Sequence, residues 1–262
     1  MTDVSIIIVS FNACEDLARC LRSLHAALPS TAHEIIVVDN GSTDGSVEAA
    51  RQWHGVRVIE NDANLGFARA TNVGIRASRG ADLLLLNSDT SVPAGAVDRM
   101  VSELHAHPDV AVVGPRLVDA HGHAELSFGP MIGPLNELRQ QRRARGPVDE
   151  LTRQRQYPDW VSGACLLVRR SDAEAVGLLD ERYFMYTEDV DFCAAIRARG
   201  RRILFTPDVE VVHLRGRSVA SAPLATQAHY RRSHMAFYEK HHPAWAPLLR
   251  LYRLMRSEGS PR

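Results

Sequence analysis

The sequence has few cysteines and no long hydrophobic run. Cys14, Cys20, Cys165 and Cys193 form no Cys-x-x-Cys pair, so we expect buried thiols and neither a disulfide framework nor a cysteine metal site. No segment approaches the ~20 apolar residues that cross a bilayer, and the N-terminus lacks the layout of a signal peptide. These absences predict a cytoplasmic protein without a membrane-spanning helix.

The chain also lacks net charge. It carries 31 Lys and Arg against 31 Asp and Glu, which argues against a general nucleic-acid-binding protein. The charge is unevenly placed, because residues 190–262 hold 13 basic side chains against 5 acidic ones. This basic part could meet phosphates or an anionic membrane surface, and a solvated basic face is the alternative.

Glycine is missing from the segment that follows the first predicted strand. Residues 10–14 read Ser-Phe-Asn-Ala-Cys. A dehydrogenase would need the pattern G-x-G-x-x-G here, and a nucleotidyltransferase a glycine-rich loop with Lys or Arg. Both classes of nucleotide-binding enzyme are therefore disfavoured.

The sequence does contain a regular alternation of strand-like and helix-like segments. Short apolar runs typical of buried strands occupy residues 4–9, 34–38, 56–60, 82–86, 111–114 and 203–205, and helical periods cover 15–28, a stretch from 44 or 46, 67–78, 93–107, 171–176 and 190–199. This order predicts an α/β fold with a doubly wound, mainly parallel sheet flanked by helices.

Two later segments differ from this pattern. The Arg-rich residues 136–156 have almost no apolar face and are predicted to be a mobile loop, with a short solvated helix as the alternative. The chain is predicted to divide into a catalytic domain over residues 1–218 and a basic helical C-terminal extension over residues 219–262.

In such sheets ligands bind in the crevice beyond the carboxyl ends of the strands. The segments at these positions are 10–12, 39–42, 61–67 and 87–89, and most of them are rich in Asn, Asp and Ser. These residue types are also common in turns. Turn chemistry does not, however, require acids such as Asp39 and Asp89 at strand ends.

Asp89 and His213 are the candidate metal ligands. Asp89 follows the apolar run 83–86, where one carboxylate could hold Mg²⁺ or Mn²⁺ together with substrate phosphates; capping of the next helix is the alternative. His213 follows the strand-like run 209–212 and precedes Arg215, Arg217 and Ser218. A lone histidine is more often structural, but this combination favours phosphate oxygens and a metal.

Three acids, Glu188, Asp189 and Asp191, stand within four residues. Like charges this close raise the pKa of at least one carboxyl group, which suits a general base. The alternative is a helix N-terminus capped by Thr187, with acids in its first turn. Both can hold at once.

Together these motifs resemble glycosyltransferase family 2, which has the GT-A fold, and within it bacterial rhamnosyltransferases and related galactofuranosyltransferases. The matching residues are Val9 to Asn12, Val37 to Gly45, Asn64 to Ala68 with Asn72, Leu86 to Asp89, Trp160 to Ala164, Glu188 to Asp191, and His213 with Gly216 and Ser218. They follow the family order over about residues 4–218. Each piece alone is permissive, whereas the ordered set is specific.

The resemblance implies an inverting transfer of a sugar from a nucleotide diphosphate to a hydroxyl of a glycan or polyprenyl-linked glycan, with Mg²⁺ or Mn²⁺ as cofactor. The best donor is dTDP-rhamnose, and a UDP-sugar is the alternative. Asp189 would be the catalytic base. The other implied roles are metal binding by Asp89 and His213, donor binding by Ser10, Phe11, Asn12, Asp39, Asn64, Gly66, Phe67, Asn72, Asn87, Ser88, Arg217 and Ser218, and an acceptor side at Trp160, Gly163 and Glu188.

The sequence departs from the family pattern at Asn87, which replaces the first acid of the D-x-D signature. The site therefore has one negative charge fewer for a metal. This departure gives slight support to another class, a non-catalytic nucleotide-sugar sensor or scaffold on the same fold. The retained acids at positions 188 and 189 and the histidine at 213 argue against it.

The last predicted helix is amphipathic and basic. Leu248, Tyr252 and Met255 share one face, and arginines at positions 250, 253 and 256 follow another. Such a helix can lie on an anionic membrane. The alternatives are that its apolar side packs on the protein's own core or on a second subunit in a homodimer.

Overall fold

The computed structural model describes residues 2–26, 28–214 and 223–258. Its strands are β1 (Val4–Ser10), β2 (His33–Asp39), β3 (Val56–Glu60), β4 (Asp82–Asn87), β5 (Thr90–Ser91), β6 (Val110–Val118), β7 (Phe128–Gly129), β8 (Trp160–Val161), β9 (Cys165–Arg169) and β10 (Arg202–His213). Eight of them form one sheet in the order β3-β2-β1-β4-β9-β6-β10-β5, and β7 pairs with β8. This arrangement confirms the predicted α/β fold of GT-A type.

The helices flank this sheet and continue at the C-terminal end. They are α1 (Cys14–Ala26), α2 (Ser46–Arg51), α3 (Phe67–Ala77), α4 (Ala96–Ala106), α5 (Pro134–Ala144), α6 (Val148–Leu151), α7 (Arg170–Ala175), α8 (Glu188–Ala198), α9 (Pro223–His241) and α10 (Ala246–Glu258). In the part of the chain described, none is long and apolar enough to cross a bilayer.

The central strands are apolar throughout because helices cover both faces of the sheet. On β1, Ile6 and Ile8 point into one core cluster, whereas Ile7 between them points into the other. Strands β3, β2, β1 and β4 run parallel to one another. Their runs are therefore continuous instead of alternating, which made them visible in the sequence.

Strand β9 breaks the parallel pattern and matters for the site. It lies between β4 and β6 and is antiparallel to both. Leu86, near the carboxyl end of β4, faces Cys165 at the start of β9. The segment before β9 therefore reaches the edge of the sheet where the parallel strands end.

Residues 136–156 are not the predicted loop, since most of them lie in α5 and α6. Neither helix has a buried residue, so no apolar stripe revealed them in the sequence. Polar contacts fix α5 instead. Gln140 Nε2 donates to the Phe128 carbonyl at 2.8 Å, and Glu137 accepts a hydrogen bond from the Tyr238 hydroxyl.

Helix α9, the first of the two helices at the C-terminal end, packs on the rest of the protein. Its Phe237 is buried with Tyr183 and Val190 beside α8. All four cysteines are free, and Cys20, Cys165 and Cys193 are buried, as the sequence predicted; Cys14 is only partly buried.

Candidate active site

Two neighbouring strand ends leave buried polar atoms without a partner among the described residues. Ser10 and Asp39 end β1 and β2 and face each other in the register. Asp39 Oδ2 accepts hydrogen bonds from the backbone N–H groups of Gly41 and Ser42, at 3.1 and 2.8 Å, whereas Asp39 Oδ1 and Ser10 Oγ have no partner in the part of the chain that the structure describes. Such atoms cost about 1–3 kcal/mol each, so they indicate a place that a polar ligand completes.

The loop after β1 is tied to the loop after β2. Asn12 has a left-handed backbone with φ of 47°. Its backbone N–H donates to Ser42 Oγ at 2.9 Å, and its Oδ1 accepts from the Thr43 N–H at 2.8 Å. The neighbouring Phe11 ring is exposed at the rim. The predicted residues 10–12 and 39 therefore lie together.

Asn40, which the sequence analysis did not select as a site residue, organises the next loop. Its Nδ2 donates to Asn64 Oδ1 at 3.0 Å and to the Gly66 carbonyl at 3.2 Å. Its Oδ1 accepts from the Leu65 N–H at 3.1 Å. The sequence did contain a signal for this role, because Asn40 directly follows a buried strand inside the motif Val37 to Gly45.

Gly66 and Phe67 connect this loop to the segment before α8. Gly66 is left-handed, with φ of 83°, and a Cβ added there would lie 2.4 Å from the Phe184 carbonyl oxygen. The Phe67 N–H donates to that same oxygen at 2.6 Å. The predicted donor-side residues 64, 66 and 67 are thus joined to the segment that carries the predicted base.

Asn72, which the resemblance implied helps to shape the donor pocket, binds a neighbouring segment of the chain. Asn72 Nδ2 donates to the Leu179 carbonyl and to Glu181 Oε1, at 2.8 and 3.0 Å, and its Oδ1 accepts from the Leu179 N–H. The side chain is buried and lies on α3. Its hydrogen bonds hold residues 179–181 in place.

Asp89 and His213 are brought together by a short antiparallel pairing. Ser88 and Asp89 form the turn between β4 and β5, and Thr90 of β5 pairs with His213 at the end of β10. His213 Nε2 then lies 3.3 Å from Asp89 Oδ1. The two predicted metal ligands, 124 residues apart by their numbers in the sequence, are neighbours.

Glu125 completes this pair and was missed in the sequence. Its Oε2 lies 3.2 Å from His213 Nδ1, on the side of the ring away from Asp89. Burial lowers the pKa of His213, but its hydrogen bonds with Asp89 and Glu125 outweigh burial and raise it to about 9. Because 88 residues separate Glu125 from His213, no local pattern could have shown the contact.

The donor set at this point fits a divalent cation that a substrate helps to hold. No group of three or more His, Cys, Asp and Glu side chains among the described residues is arranged to bind a metal by itself. Asp89 and His213 Nε2 could supply two ligands, with diphosphate oxygens completing the sphere, as is usual for Mg²⁺. Glu125 would orient the imidazole from the outer side, and binding would displace the Nε2 proton.

The acids at the start of α8 occupy different environments. Glu188 is buried and its Oε2 has no partner among the described residues, whereas Asp189 is partly exposed. Asp189 Oδ2 accepts from the Gly163 N–H at 2.8 Å. Burial raises the pKa of both groups, and the charge of Asp189 further raises that of Glu188. Asp189 is therefore the accessible carboxylate, and it is held in a fixed position.

The backbone before α8 is strained, and Thr187 does not cap the helix with its side chain. Tyr186 and Thr187 have φ of 70° and 66°, in the left-handed region that bulky and β-branched residues avoid. Thr187 Oγ1 donates to the Tyr186 carbonyl instead of accepting from the helix. Backbone strain of this kind persists only where contacts with the surrounding structure hold the strained conformation in place, and it is often found at functional sites.

One short segment joins the acid pair to the metal-binding pair. The Asn87 N–H donates to the Ala164 carbonyl at 3.0 Å, and the adjacent Gly163 holds Asp189. Trp160 of β8, three residues before Gly163, donates its Nε1–H to the Pro130 carbonyl and packs with Tyr183 and Val190. The predicted residues 87–89, 160, 163, 188 and 189 thus meet at one edge of the sheet. Arg217 and Ser218 lie outside the described residues.

Comparison with known proteins decides the family. The model of the family described as glycosyl transferase family 2 matches residues 5–176. This chain belongs to glycosyltransferase family 2. An N-acetylglucosaminyl-diphospho-decaprenol L-rhamnosyltransferase of Mycobacterium tuberculosis is 31% identical over 95% of this chain and 89% of its own length. The low-salt glycan biosynthesis hexosyltransferase Agl10 of Haloferax volcanii is 27% identical over 81% of this chain and 67% of its own.

Solved structures agree with the fold of this glycosyltransferase. The mannosyltransferase PcManGT from Pyrobaculum calidifontis, in complex with GDP-Man and Mn²⁺, superposes with a TM-score of 0.67. It is 21% identical, and the match covers 94% of this chain and 68% of that one. GalNAc-T7 with UDP, GalNAc and Mn²⁺ gives a TM-score of 0.63 at 18% identity, over 82% and 44% of the two chains.

Proposed function

We propose that this glycosyltransferase moves rhamnose, with inversion, from dTDP-rhamnose to a hydroxyl of a polyprenyl-diphosphate-linked glycan at the cytoplasmic face of a membrane. The observation that supports the reaction type is a chain of contacts. Gly163 donates to Asp189, the next residue, Ala164, accepts from Asn87, and Asp89, two residues further on, lies beside His213. The choice of rhamnose and of a lipid-linked acceptor comes from the mycobacterial relative, which aligns along nearly the whole chain.

The nucleoside end of the donor fits the first half of the sheet. A thymine or uracil ring has an N3–H donor, for which Asp39 Oδ1 is an acceptor. Neither this oxygen nor the Ser10 hydroxyl beside it has a partner within the described structure. Phe11 supplies an aromatic edge at the rim. Both bases share this N3–H group, so a UDP-sugar is the alternative donor.

The diphosphate end of the donor fits the second half of the sheet. A divalent cation held by Asp89 and His213 would stabilise the negative charge that the diphosphate gains as its bond to sugar C1 breaks. Asn87, in place of an acid, leaves the cation with fewer protein charges, so we expect its binding to depend on the donor diphosphate.

Asp189 has the geometry of a general base. The acceptor hydroxyl forms the new bond to C1 while its proton passes to Asp189, and the electron pair of the old C1–O bond leaves with the nucleoside diphosphate. The Gly163 N–H fixes the carboxylate, and the raised pKa strengthens it as a base. No second nucleophile is required, so a single displacement inverts the configuration at C1.

The proposal is tested by thermal shift of the purified protein against a panel of nucleotide sugars with Mn²⁺, followed by NMR of the anomeric product. Ligand at 100 times its Kd stabilises the fold by about 2.7 kcal/mol. We expect dTDP-rhamnose to give the largest shift and the product to be inverted. Stabilisation by none of the donors, or retention at C1, would contradict the proposal.

Asn87 favours a second candidate, a non-catalytic nucleotide-sugar sensor on the same fold. An assay of donor hydrolysis in the absence of acceptor distinguishes the two candidate functions. An enzyme releases nucleoside diphosphate slowly in the presence of metal, whereas a sensor leaves the donor intact at every metal concentration.

A further inference from the structure

Exposed apolar side chains stand out on two helices, α5 and α10. Leu135 and Leu138 lie on α5, and Leu248, Leu251, Tyr252 and Met255 lie on α10, all of them more than half exposed. We call these six side chains the apolar surface. Exposed patches of this kind mark interaction sites in soluble proteins.

Helix α10 turns its apolar side away from the protein. Positions 248, 251, 252 and 255 share one helical face by their spacing of three and four. Ala246, Leu249 and Arg253, on the opposite face, are the side chains that are buried or half-buried. The alternative that this apolar face packs on the protein's own core is therefore wrong.

Helix α5 is oriented in the same way. Asn136, Glu137 and Gln140 are half-buried on its inner face, and Leu135 and Leu138 point outward. The outward face also carries Arg139 and Arg142, which are exposed.

A single buried histidine of α9 holds the two helices. His234 Nε2 lies 3.2 Å from the Glu137 carboxylate of α5, and its Nδ1 accepts from the Arg253 guanidinium of α10 at 2.7 Å. Arg253 also donates to the Arg231 carbonyl of α9. The two outward faces are thus held in a fixed relation to each other.

The same helix α9 contacts the acceptor side of the site. Ser233 Oγ donates to the Met185 carbonyl at 2.7 Å, just before the strained residues 186 and 187. Lys240 Nζ and His241 Nε2 bind the buried carboxylate of Asp191 on α8, at 2.8 and 2.6 Å. Asp189 stands two residues away on that helix.

The exposed charged side chains of α5 are all basic. Exposed arginines at 139, 142, 143 and 145 follow along α5 and its end, and Arg250 lies on α10, where Glu239 of α9 pairs with it. A symmetric dimer through this face would oppose the same arginines in both copies. Anionic lipid headgroups bring the complementary charge.

We propose that the apolar surface, with these arginines, docks the protein on an anionic lipid bilayer. Leucines of both helices enter the headgroup boundary, and the arginines bind lipid phosphates. Tyr252 and the exposed Trp245 are amphipathic rings of the type found at membrane interfaces. Docking would deliver a lipid-linked acceptor to Asp189, and this consequence rests on the proposed function. The docking itself does not depend on that function.

Flotation of the purified full chain with phosphatidylcholine vesicles, with and without 30% phosphatidylglycerol, tests the docking. We expect binding only to the anionic vesicles, weakening as salt is raised. Leu248→Ser with Met255→Ser, and separately Leu135→Ser with Leu138→Ser, should each lower the partition coefficient about tenfold or more. Leu28→Ser, an equally exposed leucine between α1 and β2, is the matched control and should bind like wild type.

Every substituted side chain is exposed, so we expect each variant to fold. The thermal midpoint and nucleotide binding of each variant check this. Absent vesicle binding by wild type overturns the proposal, as does equal binding by wild type and both pairs of variants. A concentration-dependent dimer in light scattering that the serine variants abolish, without vesicle binding, would show a second copy as the occupant. Loss of vesicle binding with retained donor hydrolysis separates docking from the proposed reaction.

Discussion

At the scale of single residues, Asp189 and Glu188 are adjacent acids with different surroundings. Asp189 is partly exposed and held by Gly163, so we expect Asp189→Asn to lower turnover about 10²–10⁴-fold while donor binding is kept. Calorimetry with nucleotide sugar beside a turnover assay measures both quantities. Near-normal turnover of the variant would remove Asp189 from the role of base.

Glu188 should make the free energy of unfolding fall as the pH rises. Burial and the charge of Asp189 raise its pKa above the ordinary ~4.3, so the native state binds more protons than the unfolded state. The stabilising contribution is therefore complete below about pH 4.3 and is lost as the pH rises through the raised pKa. Urea unfolding from pH 5 to 8 should show a decreasing free energy of unfolding in wild type and a flatter dependence in Glu188→Gln. Equal slopes in the two proteins would contradict this assignment.

At the scale of elements, Gly66 joins the donor loop to the segment before α8, and Gly45 serves as a comparison. Both have positive φ, 83° and 85°, but ψ is 170° at Gly66, in a region essentially restricted to glycine, and 10° at Gly45, in the left-handed helical region. A Cβ at Gly66 would also overlap the Phe184 carbonyl, whereas no described atom lies within 4 Å of one at Gly45. Gly45→Ala should lose about 1 kcal/mol from backbone strain alone. Gly66→Ala should lose more and also weaken donor binding, as urea unfolding and calorimetry would show. Similar losses in the two variants would mean that the Phe184 contact is unimportant.

The elements also show what a sequence can and cannot predict. Strands β1, β2 and β4 were visible because both of their faces are buried, which makes each a continuous apolar run. Helix α5 was hidden because polar contacts hold it. Nothing local encodes that β9 runs antiparallel between β4 and β6, since direction is set by the chain path between strands.

The same distinction applies to the site. Asp39, Asp89 and Asp189 were predictable because each lies in an ordered motif near the end of a strand or the start of a helix. Glu125 was not, because its contact with His213 depends on the folded path. Asn72 was assigned to the donor pocket from its motif, whereas only the folded chain reveals that its amide binds Leu179.

At the scale of the whole molecule, the sheet divides the donor between two halves. Ser10 at the end of β1 has a buried hydroxyl with no described partner on the proposed nucleoside side, and Asp89 after β4 faces His213 on the proposed diphosphate side. The two sides should therefore respond differently to metal. Asp89→Ala should leave metal-free nucleotide affinity unchanged and abolish the gain in affinity that Mn²⁺ gives.

Ser10→Ala supplies the opposite test of the same division. Its hydroxyl makes no hydrogen bond within the described structure, so its removal should not destabilise the fold. We expect a loss of about 1 kcal/mol in nucleotide affinity, roughly fivefold, that is the same with and without Mn²⁺. Calorimetry of nucleoside diphosphate with wild type and both variants, each at zero and saturating Mn²⁺, measures the pattern. If Asp89→Ala retained the full effect of Mn²⁺, or if the loss in Ser10→Ala appeared only with metal, the two halves would not act as separate binding sites.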